Sequence, residues 1–450
     1  MSRLFKTADY EATLDTRVRL GDCLPQDHLA RFVVDIVQEL DLSALYARYK
    51  DRGGAPYAPE ILLGLLFYAY ATGVFSSRKI EQATKETAAF RYLAGNYSPD
   101  HDTIAAFRKQ FLPQLQDLFV QILLLAQQMG LLQMGNLHID GTKIAADASK
   151  SKALSYKRLQ EIELFLQAEV NELFALAEAA DSAAPEGMDL PQELARREER
   201  LQRLAQAKAV LEARAAERHA AEQAEYAAKM GERAQKEAVT GKKPSGKPPA
   251  PPTPGPKEGD QYNFTDPDSR IMKNSRDDGF SQQYNGQVAV CEGSRLVVGF
   301  SLSNHPNDQH ELAPTLASIP EALGSVPAAV LDTGYFSQAN IDALQAQQIE
   351  PYIATGRDPH HRGWRAFFAE TGPEPVAEAS LREKMAYKLR TAFGRAIYRR
   401  RKCTVEPVVG IIKEAMGFRQ FSLRGQDNVT GEWCLVCLAY NLRRLHVLVG

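Results

Sequence analysis

From about Lys150 to Lys236 the sequence narrows almost to Ala, Glu, Lys, Arg, Gln and Leu. Leu159, Ile162 and Leu166 recur at helical spacing in one part of this block, and Leu194, Leu201, Leu204 and Leu211 in another, with a break near residues 184–191. Two long helices in an antiparallel hairpin are the expectation. Between Gly241 and Pro256 seven of sixteen residues are proline, which predicts an extended linker. Block and linker together separate one early strand pattern from several later ones.

The early strand lies at residues 136–146, where Leu137 and Ile139 alternate with His138 and Asp140. It is expected to end at Asp140, with Gly141 and Thr142 in a turn. Before it, residues 25–134 read as helical. Leu29, Phe32, Val33, Ile36, Val37 and Leu40 fall on one helical face, Pro59 suits a first turn, and Ile104, Phe107 and Phe111 share a face after Asp102. Tight turns around Gly95 and Asn96 fit either a helix-turn-helix unit with Arg108 and Lys109 turned towards DNA or a small helical bundle.

After the linker, residues 284–291 and 295–303 form a predicted hairpin around Glu292, Gly293 and Ser294. Residues 328–331 are an apolar strand ending at Asp332; a helix over 337–347 and a strand over 351–355 follow. Strand, helix, strand order implies parallel members with covering helices. Residues 381–402 carry nine Lys or Arg against the single acid Glu383. A helix is expected from about Thr404 with Pro407 in its first turn, and a last apolar helix over 429–449.

The bulk numbers exclude several classes. With 44% hydrophobic and 24% charged residues, the chain is a globular protein of more than one domain. No apolar run fits a signal peptide or a membrane span, so a cytoplasmic protein is expected. Five scattered cysteines do not suit a disulfide framework, and Cys434 and Cys437 lack a second pair for zinc. A net charge of −2 confines any nucleic-acid affinity to local patches.

The residues with most chemical meaning are Asp140, Asp332 and Glu406, isolated acids at predicted strand ends and a helix start. Phosphodiester cleavage needs charge neutralised on attacking and leaving oxygens, and two hard cations held by such carboxylates supply it. In an open α/β sheet, strand ends bring distant acids together. Asp147, Asp277 and Asp278 are substitutes for a member of the set. His138 reads as a packed strand residue, and His305, Asp308 and His310 as a polar loop with a helix cap.

HIDGTKIAADASKSK around Asp140, TDPDSRIMK with QQYNGQVAV, LDTGYF around Asp332 and YRRRKCTVEPVVGIIKEAMGFRQFSLRG around Glu406 resemble bacterial insertion-sequence DDE transposases with a Tyr-Arg-Glu-Lys signature. The resemblance implies an RNase H-like α/β fold, a mixed sheet with covering helices, preceded by an all-helical N-terminal domain and interrupted by a long helical hairpin. It implies DNA as partner, as terminal inverted repeats and as target, bound by a homodimer or higher oligomer. Two Mg²⁺ ions, with Mn²⁺ as substitute, would be held by Asp140, Asp332 and Glu406. Tyr398, Arg401 and Lys413 match the remaining signature positions. Four residues separate Arg401 from Glu406 where relatives more often have three, so Lys402 is an equal candidate for the arginine position. Some relatives place a tryptophan in the insertion to stabilise a DNA hairpin; here Trp364 and Trp433 both lie outside it.

The expected domains are 1–134, helical and DNA-binding; 135–150, the first part of the catalytic domain; 151–236, the helical insertion; 237–259, the linker; and 260–450, the remainder of the catalytic domain. Transposition leads the functional expectations. An RNase H-like nuclease without strand transfer, an inactive DNA-binding regulator and a coiled-coil scaffold are the alternatives.

Overall fold

A computed structural model describes residues 19–49, 56–179, 189–243, 246–274, 279–356, 373–376 and 378–450. Asp277, Asp278 and Trp364 lie outside the described residues. The chain divides into two compact units, one of residues 1–144 with 285–450 and one of residues 145–284. The second unit is wider than the expected insertion, and the N-terminal helices share the first unit with the later strands.

The first unit starts with α1 (Leu29–Glu39), α2 (Ser43–Tyr46), α3 (Pro59–Ala71), α4 (Ser77–Glu86), α5 (Ala88–Leu93), α6 (His101–Phe111) and α7 (Leu115–Gln128). The apolar spacing does what it predicts in α1, which buries Val33, Ile36 and Val37, while the His28 ring nitrogen caps it by accepting from the Ala30 N–H at 3.1 Å. Pro59 sits in the first turn of α3, where its missing N–H costs nothing. Between α5 and α6, Gly95 and Asn96 take φ of 58° and 70°, a left-handed turn. Asp100 then caps α6 through the Thr103 N–H at 2.8 Å.

Arg108 departs from expectation. It is buried, donating to the Tyr70 hydroxyl at 2.9 Å and the Phe75 carbonyl at 3.0 Å. Tyr70 in turn donates to the buried Glu432 at 2.8 Å. Arg108 shares the inner face of α6 with Phe107 and Phe111 and pays for its burial with that network, so it does not face DNA; Lys109 beside it is exposed.

After β1 (Leu137–Ala145), the second unit holds β2 (Ala153–Ser155), α8 (Tyr156–Ala179), α9 (Leu190–Thr240), β3 (Gln261–Asn263) and β4 (Arg270–Lys273). The predicted hairpin is present: Leu159, Leu166, Leu204, Ala207 and Leu211 form its seam. Tyr156 pairs with Glu212, Lys208 with Glu163 at 2.9 Å and Arg197 with Glu169 at 3.0 Å, which fixes the two helices antiparallel. β4 pairs antiparallel with the first residues of β5 (Phe280–Cys291).

β5 continues into the first unit and turns through Glu292–Ser294 into β6 (Val297–Ser303), its antiparallel neighbour. α10 (Leu312–Ala317), β7 (Ala328–Leu331), α11 (Gln338–Ala346) and β8 (Glu350–Ile353) follow. β1 pairs parallel with β7, Leu137 opposite Ala329, and β7 pairs parallel with β8, Leu331 opposite Ile353. The order β6-β5-β1-β7-β8, with β1 central, is that of an RNase H-like mixed sheet. Next come α12 (Leu381–Arg390), α13 (Ala392–Arg399), α14 (Arg401–Gly410), a π-helical turn at Ile411–Ala415 and α15 (Gln426–Val449). α15 is buried along most of its length against α3, α7 and β6. Trp433 donates to the Gln287 carbonyl at 3.1 Å, and its ring fills the space over Gly286, where a Cβ would stand 2.9 Å from it. Cys434 and Cys437 are packed in the same core, and burial pushes both thiols well above their usual range.

Two boundaries correct the expectation. Asp140 lies within β1, which runs on to Ala145, because Gly141–Ile144 continue the extended backbone. α14 begins at Arg401, with Pro407 in its interior and Glu406 in mid-helix.

Candidate active site

Each acid reaches the site from a different element. Asp140 projects from the central strand β1. Asp332 follows the last residue of β7 and caps the next turn, accepting from the Gly334 N–H at 2.8 Å. Glu406 comes from α14. All three meet one guanidinium: Arg401 Nη2 lies 2.7 Å from Asp140 Oδ1 and 3.9 Å from Asp332 Oδ2, and Arg401 Nη1 lies 3.3 Å from Glu406 Oε1. The Arg401 side chain is only 13% exposed and Asp140 19%, while Asp332 and Glu406 are open to solvent at 38% and 46%, so the contact between Arg401 and Asp140 is the least screened of the three. Burial pushes the Asp140 carboxyl up to about 7, with Arg401 pulling it down and Asp332 raising it.

A fourth carboxylate stands beside this group. Asp308 Oδ1 accepts from Asn285 Nδ2 at 2.7 Å and Gln287 Nε2 at 2.8 Å, and Lys143 Nζ is 3.8 Å away. Burial lowers the Lys143 ammonium, and Asp308 acts against that shift. Asp308 lies against Gly141, which follows Asp140, and Gly334, two residues after Asp332. Tyr335, fully buried, donates its hydroxyl to Gln287 Oε1 and so holds the amide that holds Asp308. The spacing of His305, Asp308 and His310 hinted at a polar site but did not single out Asp308. Asp308 caps no helix with its side chain; His305 pairs with Glu311 at 2.8 Å, and His310 is exposed.

The other named residues separate. His138 is buried, its Nε2 3.3 Å from Glu292 Oε2, so it packs as expected. Asp147 belongs to the second unit. Tyr398 is half-buried against Ala328, Val330 and Tyr352. Arg401 turns inward while Lys402 is exposed. Lys413 lies in the π-helical turn, beyond the regular spacing from Glu406, and donates to the Lys143 carbonyl at 2.8 Å, tying that turn to β1.

The chemistry of the donor set fits hard divalent cations: carboxylates without thiolate or imidazole, on rigid elements, with a positive charge already drawn among them. As the side chains stand, no three acidic, imidazole or thiolate groups among the described residues converge closely enough to ligate one ion. The Arg401 guanidinium occupies the focus of the three acids.

No helix among the described residues is long and apolar enough to cross a membrane. Residues 18–110 match the family described as a transposase domain, and residues 252–442 match the family described as a transposase DDE domain. The second match includes Asp332, Arg401 and Glu406, while Asp140 precedes it. Neither a curated protein nor a solved structure matches the chain. Both matches are thus to transposase families, the second of them of the DDE type.

Proposed function

We propose that this chain cuts DNA at the ends of an insertion sequence and joins the freed 3′-hydroxyl to target DNA. The observation that carries the reading is the convergence of Asp140, Asp332 and Glu406, from three separate elements, on one guanidinium at the centre of an RNase H-like sheet. Two divalent cations, Mg²⁺ or Mn²⁺, held by these carboxylates would neutralise charge on the attacking and leaving oxygens.

The chain's own residues do the rest. Asp140, on the central strand, and Asp332, at a strand end, set a rigid spacing for the phosphate being cut. Asp308, held by Asn285 and Gln287, keeps Lys143 turned into the site. Arg395, Arg399 and Lys402 are exposed on α13 and α14, where they contact phosphates without reading sequence. Tyr398 and Arg401 border the same phosphate track, Lys413 braces it against β1, and Lys109 with the N-terminal helices contributes to recognition of the inverted repeats. The active form is a homodimer or higher oligomer on DNA, because two element ends must be joined to one target.

The test is purified protein with supercoiled plasmid carrying its element's ends, in Mg²⁺, Mn²⁺ or EDTA, beside Asp140→Asn, Asp332→Asn and Glu406→Gln. Metal-dependent cuts at the ends with joined products, absent from all three variants while DNA binding persists, are expected. Cuts without joined products identify a nuclease, and undiminished cutting by any variant removes that residue from the set.

A further inference from the structure

We propose that Arg401 is a built-in counter-cation: a divalent metal enters by displacing its guanidinium from the three carboxylates, and a DNA phosphate takes the displaced guanidinium, so that metal and DNA promote each other's binding. This rests on the reading of Asp140, Asp332 and Glu406 as metal ligands.

Three observations carry it. One guanidinium contacts all three acids, at 2.7, 3.3 and 3.9 Å, so it stands where a cation bridging those acids would stand. A cation and a guanidinium cannot share the place, since both are positive and both need the same carboxylate oxygens. Next, the guanidinium is incompletely satisfied: Arg401 Nε is buried and finds no hydrogen-bond partner among the described residues. Last, Arg401 is the first residue of α14, between the exposed Arg399, Arg400 and Lys402. Rotation about its own side-chain bonds, with no backbone change, carries the fork from the carboxylates to that basic surface, where a phosphate offers bidentate acceptors. Lys402, already on the surface, pairs with no carboxylate among the described residues, which separates two positions that sequence spacing leaves equivalent.

Because both ligands favour the same displaced arrangement, linkage makes their effects on each other equal. The arrangement also restrains the enzyme: without DNA, the acids are partly neutralised by the chain itself and the site holds metal more weakly.

The experiment measures Mn²⁺ binding to the full chain by the electron paramagnetic resonance signal of free Mn²⁺, with and without a short DNA duplex, for wild type, Arg401→Gln and Asp332→Asn. Arg401→Gln is expected to bind Mn²⁺ about tenfold tighter than wild type without DNA. The duplex is expected to tighten Mn²⁺ binding by wild type several-fold and to leave Arg401→Gln unchanged. Equal Mn²⁺ affinity of wild type and Arg401→Gln, with the same duplex effect in both, overturns the counter-cation while leaving the metal site intact. Wild-type Mn²⁺ binding by Asp332→Asn overturns instead the assignment of the metal to these carboxylates. Should Arg401→Gln fail to fold, Arg401→Met serves: it removes the charge while keeping a long side chain, and the same tenfold gain is expected, wild-type affinity overturning the proposal.

Discussion

The Asp308 carboxylate stands where a side chain on Gly141 would begin: a Cβ there would lie 2.5 Å from Asp308 Oδ1 and 2.5 Å from Gln287 Nε2. Glycine at 141 is therefore the condition for bringing a fourth acid against the strand that carries Asp140. Gly141→Ala forces Asp308 and Gln287 aside, and the expected result is a fall in cleavage of about 10–100-fold with DNA affinity unchanged. Single-turnover cleavage and fluorescence anisotropy on the same preparation check this. A wild-type rate would mean that Asp308 moves without consequence for the site.

Asp140 gives a pH signature that needs no DNA. Its carboxyl sits at about 7 in the folded chain against an ordinary value of 3.8. Across that window the folded state keeps a proton that the unfolded chain has released, so stability falls as pH rises. Asp140→Asn removes this dependence. In EDTA, the variant's stability relative to wild type should climb between about pH 5 and pH 8, by on the order of 1–3 kcal/mol. Thermal melts at several pH values decide; a difference independent of pH would show Asp140 ionising as freely as an exposed acid.

Arg108 and Lys109 are neighbours with opposite expected behaviour. Arg108→Leu strips a partner from Tyr70, the link to buried Glu432, and should cost about 3–5 kcal/mol with little direct effect on DNA affinity of the folded fraction. Lys109→Ala should leave stability within about 0.5 kcal/mol and weaken DNA binding with a shallower salt dependence. Denaturant titration and salt-dependent binding separate the two. The reverse pattern would return Arg108 to the surface.

Gly286→Ala tests the seat of the last helix. The added methyl meets the Trp433 ring at 2.9 Å inside a closed core. A loss of about 1–3 kcal/mol is expected, with the tryptophan emission shifted to the red. A melt and a fluorescence spectrum equal to wild type would show that α15 yields without cost.

What could be read from the sequence was whatever a local pattern encodes. The apolar runs at 328–331 and 297–303, the face of α1 and the leucine seam of the hairpin all state their burial directly. The end of β1 was placed five residues early, at Asp140, because Gly141 and Thr142 are turn residues in most settings; here glycine serves a close approach in mid-strand. Pro407 misled for a similar reason: proline is usual in first turns, and nothing local announces the π-helical turn after it. Arg108 and Asp308 were out of reach altogether. Their roles come from Tyr70 with Glu432 and from Asn285 with Gln287, partners separated from them in sequence and brought near only by the finished core. The same holds for the choice between Arg401 and Lys402, which spacing cannot make and the inward turn of one side chain does.

The placement of residues 145–284 between β1 and the later strands sets an order of assembly on the ribosome. β1 has left the tunnel long before β7, its parallel partner, is translated. At roughly 5–20 residues per second, Asp140 waits on the order of 10–40 s for Asp332, and longer for Arg401 and Glu406. The helical hairpin, held by contacts local to itself, can fold meanwhile. A chain cut short by a premature stop before residue 401 would lack Arg401, Glu406 and also α15, against which α3 and α7 pack, so its cutting centre and the core of its N-terminal helices would be left incomplete together.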